Sequence, residues 1–467
     1  MKIRFLGGVR EVTGSCHLLM TDKSVVMRDC GLFQGHRKDA REKCGSLCKG
    51  LDRLDAVILS HAHIDHSGSL PLLAKHGYAG PVHATHATRD LCEHMLRDAA
   101  HIQELDAAFL NKKNNRKGEP PVEPLYTAAD ADAVLRLFTG HSYHERVRLT
   151  DDITVTAHEA GHVLGAALHV FDLRDDGRQM RIGYAFDLGR KNLPILRDPE
   201  QLSDIDALVI ECTYGNRYHK DISQAEDLLA GAVNRTYKRG GKLIIPSFAL
   251  ERAQEILYTL NNLYHAKRIP PVHVYVDSPL TVNISEVFRN HPELFDDETV
   301  ELVRTGRWIL DKSLVTYVVS TEDSKALNDD HTPMIIISAS GMCEAGRILH
   351  HLKNNVEDPR NSVCIVGYQA EGTLGRRIVD RVKELRIFGQ VYQMRAERVV
   401  LNTFSGHADH GDLLEYVKGV GTRCREFILV HGEENGINAM ADAIRELRPD
   451  ARVHIPGRGD EIELAPR

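Results

Sequence analysis

The first part of the chain alternates brief apolar runs with polar loops. "KIRFLGG", "CHLLM", "SVVMRD" and "DAVILS" carry the aliphatic and β-branched residues of short strands. Between about 88 and 137 the spacing changes. "TRDLCEHMLRDAAHIQELDAAFLNKK" places apolar residues three and four apart, which predicts amphipathic helix. Strands return in "ITVTAHEAG", "ALHVFDL" and "MRIGYAFD". From about 204 to 390 the texture is different again: "KLIIPS" leads into "ALERAQEILYTLNNLY", "MIIIS" into "CEAGRILHHLKNN", and "SVCIVGY" into "TLGRRIVDRVKEL". Continuously apolar strands, each followed by a helix, predict a parallel sheet buried on both faces. After 391 come "REFILVHGE", "GINAMADAIREL" and "RVHIPG", again strand and helix, and no fixed-period repeat runs through the chain.

A length of 467 residues exceeds one ordinary core, so two domains, or one domain with a large insert, are expected. The opening "MKIRFLGGVREVTG" lacks the apolar centre of a signal peptide, and no apolar run approaches the ~20 residues that span a bilayer. Nine scattered cysteines, an odd number, read as reduced thiols, and the expected location is cytoplasmic. A net charge of −7 argues against a protein that coats nucleic acid indiscriminately, yet a groove needs only local positive charge. Two basic stretches supply it: "NKKNNRKGEP" at 111–120, and "GRRIVDRVKELRIFGQVYQMRAER" with Arg376, Arg377, Arg381, Lys383, Arg386, Arg395 and Arg398. Trp308, the one tryptophan, reads as a core residue rather than a base-stacking platform.

The chemistry gathers after one strand. In "DAVILSHAHIDHSGSL" the apolar run stops at Ser60, and His61, His63, Asp65 and His66 follow within six positions. A loop leaving a strand can aim all four at one point, and imidazole with carboxylate suits zinc. Most of the 26 histidines have no part in this. His158 reads as a strand residue, His169 as a core histidine and His410 as a capping residue.

This HxHxDH pattern resembles the second motif of the metallo-β-lactamase fold hydrolases. The resemblance extends to "AGHVLGAA" with His162, "GYAFDLGR" with Asp187, and "VVMRDCGLFQG" with Asp29. It narrows with "VIECTYGNR" (Glu211), "FSGHADH" (His407) and "ILVHGEENG" (His431), which are similar to motifs A, B and C of the β-CASP subgroup of nucleases. Histidine at motif C resembles the RNA-processing branch, and the whole chain is similar to bacterial and archaeal relatives of the cleavage-and-polyadenylation endonuclease. Ala185 and Phe186 depart from the small residue and glycine usual before the motif 4 aspartate, and Cys212 stands where serine is common; these put the pocket wall in question, not the ligands.

The resemblance implies an α/β fold: a metallo-β-lactamase αββα sandwich in two segments, 1–210 and 393–467, with a Rossmann-like β-CASP insert at 211–392 over the metal face. It implies two Zn2+ per chain: His61, His63 and His162 on one, Asp65, His66 and His431 on the other, Asp187 bridging, and Asp29 supporting the ligand loop from behind. The implied reaction is cleavage of single-stranded RNA by a metal-activated hydroxide, leaving 5′-phosphate and 3′-hydroxyl ends. His407 would be the general acid, oriented by Glu211, with Asp65 counted among the catalytic groups. Ser338, Ser340, Gly341, Thr373 and Arg376, in the loops "SASGM" and "AEGTLGRR", are expected phosphate contacts. DNA as substrate, 5′-to-3′ exonuclease action and a homodimer stay open. So do two other classes: a hydrolase of small esters, thioesters or lactams, and a non-catalytic RNA-binding scaffold.

Overall fold

The computed structural model describes residues 1–35, 37–48, 51–114, 120–219, 223–305, 314–367, 369–401 and 405–464. Trp308 and most of the basic stretch at 111–120 lie outside them. The chain forms two compact units. One comprises Met1–Lys191, Asp198–Tyr218 and His407–Arg467; the other comprises Asn192–Arg197 and His219–Gly406.

The first unit is a sandwich of two seven-stranded sheets. One runs in the order Glu461–Glu463, Lys2–Gly7, Cys16–Met20, Val25–Arg28, Ala56–Ile58, Val82–Thr85, Phe138–His141. The other runs Arg452–His454, Glu426–Val430, Ala207–Glu211, Arg178–Ala185, Ala167–Asp175, Ile153–Glu159, Arg146–Arg148. Alternation decides which side chains fill the space between them. Ile3, Phe5, Leu19, Val26 and Ile58 from the first sheet meet Val155, Phe171, Ile182, Val209 and Ile428 from the second in one buried cluster. The long helix His86–Asn114 packs against the strands Val82–Thr85 and Phe138–His141 of the first sheet, and Glu434–Leu447 packs against the second.

Parallel pairing sets the position of the site. Arg178–Ala185, Ala207–Glu211 and Glu426–Val430 are mutually parallel, with Ala185 beside Ile210 and Ile210 beside Leu429. In the other sheet Val25–Arg28 lies parallel to Ala56–Ile58, with Arg28 opposite Ile58. Loops carrying chemistry therefore leave the carboxyl ends of aligned strands, where ligand sites of parallel sheets form.

The second unit holds a six-stranded, all-parallel sheet: Val315–Tyr317, His273–Val276, Met334–Ser338, Lys242–Pro246, Ser362–Val366, Glu397–Leu401. Glu397–Leu401 is an edge strand of this sheet, so the chain stays in the second unit past residue 392. The helix expected through "TLGRRIVDRVKEL" ends at Val379. Glu384–Ile387 and Gln390–Gln393 pair instead as a hairpin, because Phe388 and Gly389 both adopt positive φ (50° and 81°) and Leu385 and Ile387 alternate into the core.

Candidate metal centre

Four donor atoms converge first. His61 Nε2 lies 3.1 Å from His63 Nδ1 and 3.2 Å from Asp187 Oδ2. His162 Nε2 lies 3.3 Å from the same His63 atom and 3.4 Å from the same Asp187 atom. Bonds of about 2.0–2.1 Å at tetrahedral angles separate ligand atoms by roughly 3.3–3.4 Å, so this nest has the spacing of a four-coordinate metal site. Beside it, His66 Nε2 lies 3.3 Å from His431 Nε2 and 3.3 Å from Asp187 Oδ2. Asp65 Oδ2 completes this group more loosely, 3.7 Å from His431 Nε2 and 3.9 Å from His66 Nε2. Asp187 Oδ2 faces both nests, and Asp187 Oδ1 is buried with no hydrogen-bond partner. His431 Nδ1 lies 3.3 Å from that oxygen, and a buried carboxylate ringed by imidazoles fits a cation.

Local backbone explains the convergence. Asp29, Asp187 and His431 each sit just past a strand end in the left-handed region, with φ of 58°, 45° and 47°. A residue there reverses the chain within one position, and such strain in non-glycine residues gathers at functional sites. His63 precedes the short helix Ile64–Ser67, which turns Asp65 and His66 back toward His61. This loop is held from below by Ser15 N–H to Asp65 O, Cys30 N–H to His66 O and Leu32 N–H to Ile64 O, each 2.8 Å.

Hydrogen bonds select the ring tautomers. His66 Nδ1–H donates to Asp29 Oδ2 at 2.7 Å. Ser60 Oγ donates to the same oxygen at 2.9 Å, so it accepts from His61 Nδ1–H at 3.0 Å. Thr213 Oγ1 donates to the His431 backbone oxygen and accepts from His431 Nδ1–H, both at 3.1 Å. All three rings thereby keep Nε2 as a lone pair aimed into the centre. Burial, the largest influence on each, lowers the pKa of His61, of His63 (to about 3) and of His162, favouring the neutral form that binds metal. His66 moves the other way: burial opposes its charge, but the Asp187 and Asp29 carboxylates outweigh it.

Asp29 is itself anchored. It is fully buried, accepts Ser60 N–H at 2.7 Å and pairs with Arg28 Nη1 at 2.6 Å. Burial opposes the carboxylate, yet Arg28 and His66 hold its pKa well below the usual range. Arg28 is buried too, its guanidinium carbon 4.3 Å from the Phe186 ring and 4.9 Å from that of Tyr184. Phe186 also forms a wall against His66 and His431, with ring centroids 5.8 and 5.6 Å away. Phe186 is one of the departures that put the pocket wall in question, and it does line that wall, whereas Arg28 was not legible as part of the site, because an arginine ending a strand reads as a surface charge.

A histidine–carboxylate pair adjoins the nests. His407 Nδ1 lies 3.0 and 3.2 Å from the two oxygens of Glu211, which is fully buried at the end of its strand. Leu188 N–H fixes Glu211 Oε1 at 2.7 Å. The His407 ring centroid is 4.6 Å from that of His162 and 6.1 Å from that of His431. Burial opposes imidazolium, but the charge and hydrogen bond of Glu211 hold His407 up at about 9. His410 is a structural residue here: its Nδ1 bonds to Gly215 O at 2.6 Å while Asp409 caps the helix His410–Gly419.

The expected phosphate contacts lie in the second unit and are more committed than the sequence suggests. Ser338 is buried and donates to Asp277 O at 2.8 Å, so its hydroxyl is a packing group and not a phosphate contact. Gly341 is buried against Phe248, whose ring carbon would lie 2.8 Å from an added Cβ. Ser340 Oγ accepts Glu344 N–H at 3.1 Å. At the start of Leu374–Val379, Glu344 takes Leu374 N–H (2.6 Å), Met342 O takes Gly375 N–H and Thr373 Oγ1 takes Arg376 N–H, so the protein fills its own anion cradle. Arg376 pairs with Asp380 at 2.9 Å.

Comparison with known proteins shows the family to which this chain belongs. A metallo-beta-lactamase superfamily domain matches residues 18–196, a Beta-Casp domain 253–378, and a Zn-dependent metallo-hydrolase RNA specificity domain 391–456. Ribonuclease TTHA0252 of Thermus thermophilus is 36% identical over 467 residues, spanning 100% of this chain and 98% of the relative. The chain belongs to the β-CASP ribonucleases of the metallo-β-lactamase fold. Transcription termination factor FttA of Methanosarcina mazei is 32% identical over 97% of this chain and 70% of its own length. A protein of unknown function from Enterococcus faecalis V583 shares the fold at a TM-score of 0.53 and 14% identity, covering 99% of both chains.

Proposed function

We propose that this member of the β-CASP family is a zinc-dependent ribonuclease that cleaves single-stranded RNA, endonucleolytically and also from 5′ ends, to give 5′-phosphate and 3′-hydroxyl products. The observation that carries the reading is Asp187 Oδ2, placed within 3.4 Å of donor nitrogens from both nests. His61, His63, His162 and Asp187 would hold one zinc ion; Asp65, His66, His431 and Asp187 would hold the second. Bound there, the pair supplies Lewis acidity toward the phosphate and makes a water molecule acidic near neutral pH.

The chain's own groups supply the rest. His407, charged through Glu211, donates a proton to the departing ribose oxygen, whose high pKa makes it a poor leaving group when bare. Glu211 keeps the His407 ring oriented and its proton in place, as its two short contacts favour. Because water is the nucleophile, the 2′-hydroxyl takes no part in bond making, so this chemistry does not by itself exclude single-stranded DNA. Matches to an RNA specificity domain and to a ribonuclease support RNA as the main partner. A cytoplasmic location accords with nine free thiols, and among the described residues no helix is long and apolar enough to cross a membrane.

The test is end-labelled RNA cut by wild type and His407→Ala, resolved to single nucleotides with end-group analysis. His407→Ala should cut ~10²–10⁴-fold more slowly with RNA affinity retained. Products ending in 2′,3′-cyclic phosphate, or undiminished cleavage by the variant, would overturn the reading.

A further inference from the structure

A third group of metal-type donors lies in the first unit, outside the centre described above. His158 is on the strand Ile153–Glu159, which pairs with Arg146–Arg148 so that Arg146 faces Thr156. His144 lies in the turn just before Arg146, at a φ of 64°. His144 N–H donates to Ala157 O at 2.8 Å, and the two imidazole rings stand 5.3 Å apart. Glu200 arrives from a different part of the chain and is fixed by its backbone: its N–H donates to Glu159 O at 2.9 Å. Its carboxylate reaches both rings, with Oε1 2.9 Å from His144 Nε2 and Oε2 3.0 Å from His158 Nδ1. One donor atom from each residue lies within 4.8 Å of the other two.

We propose that His144, His158 and Glu200 form a third cation site, taking a divalent transition metal of the zinc, nickel or copper class. The donor set argues for that class: two borderline nitrogens and one carboxylate oxygen are the three protein ligands typical of open zinc sites, whereas magnesium and calcium call for oxygen alone. The side chains of His144, His158 and Glu200 are 57%, 26% and 37% exposed, so a cation can enter and water can complete its shell. Three segments that are separate in sequence are brought together by backbone hydrogen bonds, so little ordering remains for the metal to impose. Its effect would be local. A cation there ties the end of one strand to the segment at Glu200, and the neighbouring Glu159 carboxylate accepts Gly161 N–H at 3.0 Å in the loop that carries His162. Occupancy would stiffen that loop without supplying an atom to the reaction.

The test uses the full chain, first loaded with zinc and then desalted, so that the centre at Asp187 is filled. Calorimetric titration with zinc chloride and with nickel chloride should reveal one further equivalent per chain. His144→Asn, chosen because asparagine tolerates the φ of 64° at this position, and His158→Gln should each weaken that event at least ~10-fold. Metal-free melting temperatures of the variants serve as the folding control, and saturating nickel should raise the melting temperature of wild type alone. Superimposable isotherms for wild type and the double variant, or the absence of a further equivalent in wild type, would overturn the proposal while leaving the ribonuclease reading untouched.

Discussion

Replacing Asp29 by asparagine isolates what one buried charge does for this centre. Asparagine keeps the size of the side chain and tolerates the φ of 58°, so backbone strain does not confuse the result. The charge disappears, and with it the counterion of Arg28, a guanidinium buried between aromatic rings. Removing one partner of a buried ion pair costs about 3–5 kcal/mol, a large part of the 5–15 kcal/mol that stabilises a typical domain. The bond to His66 weakens as well. Loss of such support behind a metal ligand lowers affinity ~10–100-fold, or about 1.4–2.8 kcal/mol for that site. Urea unfolding of the metal-stripped protein reads the first quantity, and competition with a zinc chelator reads the second. Asp29→Asn should lose both, and Asp29→Ala, which keeps no acceptor for Ser60 or His66, should lose more. A stripped Asp29→Asn protein that unfolds with wild type and competes equally for zinc would refute the argument that this carboxylate braces the site.

Glu211→Gln tests the acid. His407 stands at about 9 against an ordinary 6.5, and Glu211 is the largest influence offsetting its burial, with Asp187 and Asp65 adding to it, so the alkaline limb of the cleavage rate should move toward pH 6.5, with a loss of up to roughly tenfold at pH 7.5. Bound cations would lower both limbs together, so the difference between variants is what pH–rate profiles must show. Because the folded value is raised, the pair's contribution to stability is complete below pH 6.5 and fades as pH climbs through about 9, which thermal melts across that window check. Gly31→Ala should abolish cleavage while sparing the second unit: an added Cβ would meet Asp65 O at 1.6 Å and push the ligand loop away, which metal analysis and limited proteolysis would report.

The donors were legible because a single hexapeptide holds four of them, and such a cluster at a strand end has little use but metal. The partners in the dry layer beneath were not. Arg28 precedes a loop and carries full charge, and its burial depends on Phe186 and Tyr184 arriving from the other sheet, which no local pattern encodes. The hairpin at 384–393 was hidden for a related reason. Apolar residues at Leu385 and Ile387 fit the end of a helix as well as a strand, and only the turn at Phe388 and Gly389 decides between them. Glu200 carries no motif at all; its role follows from a backbone bond to Glu159.

His66 and His431 stand 365 positions apart, and the whole second unit is translated between them. At 5–20 residues per second, roughly 20–70 seconds pass on the ribosome between the appearance of one and of the other. A nascent chain therefore remains an incomplete nuclease beside the very messenger that encodes it. A chain ended before residue 431 lacks the histidine that completes the group of Asp65 and His66.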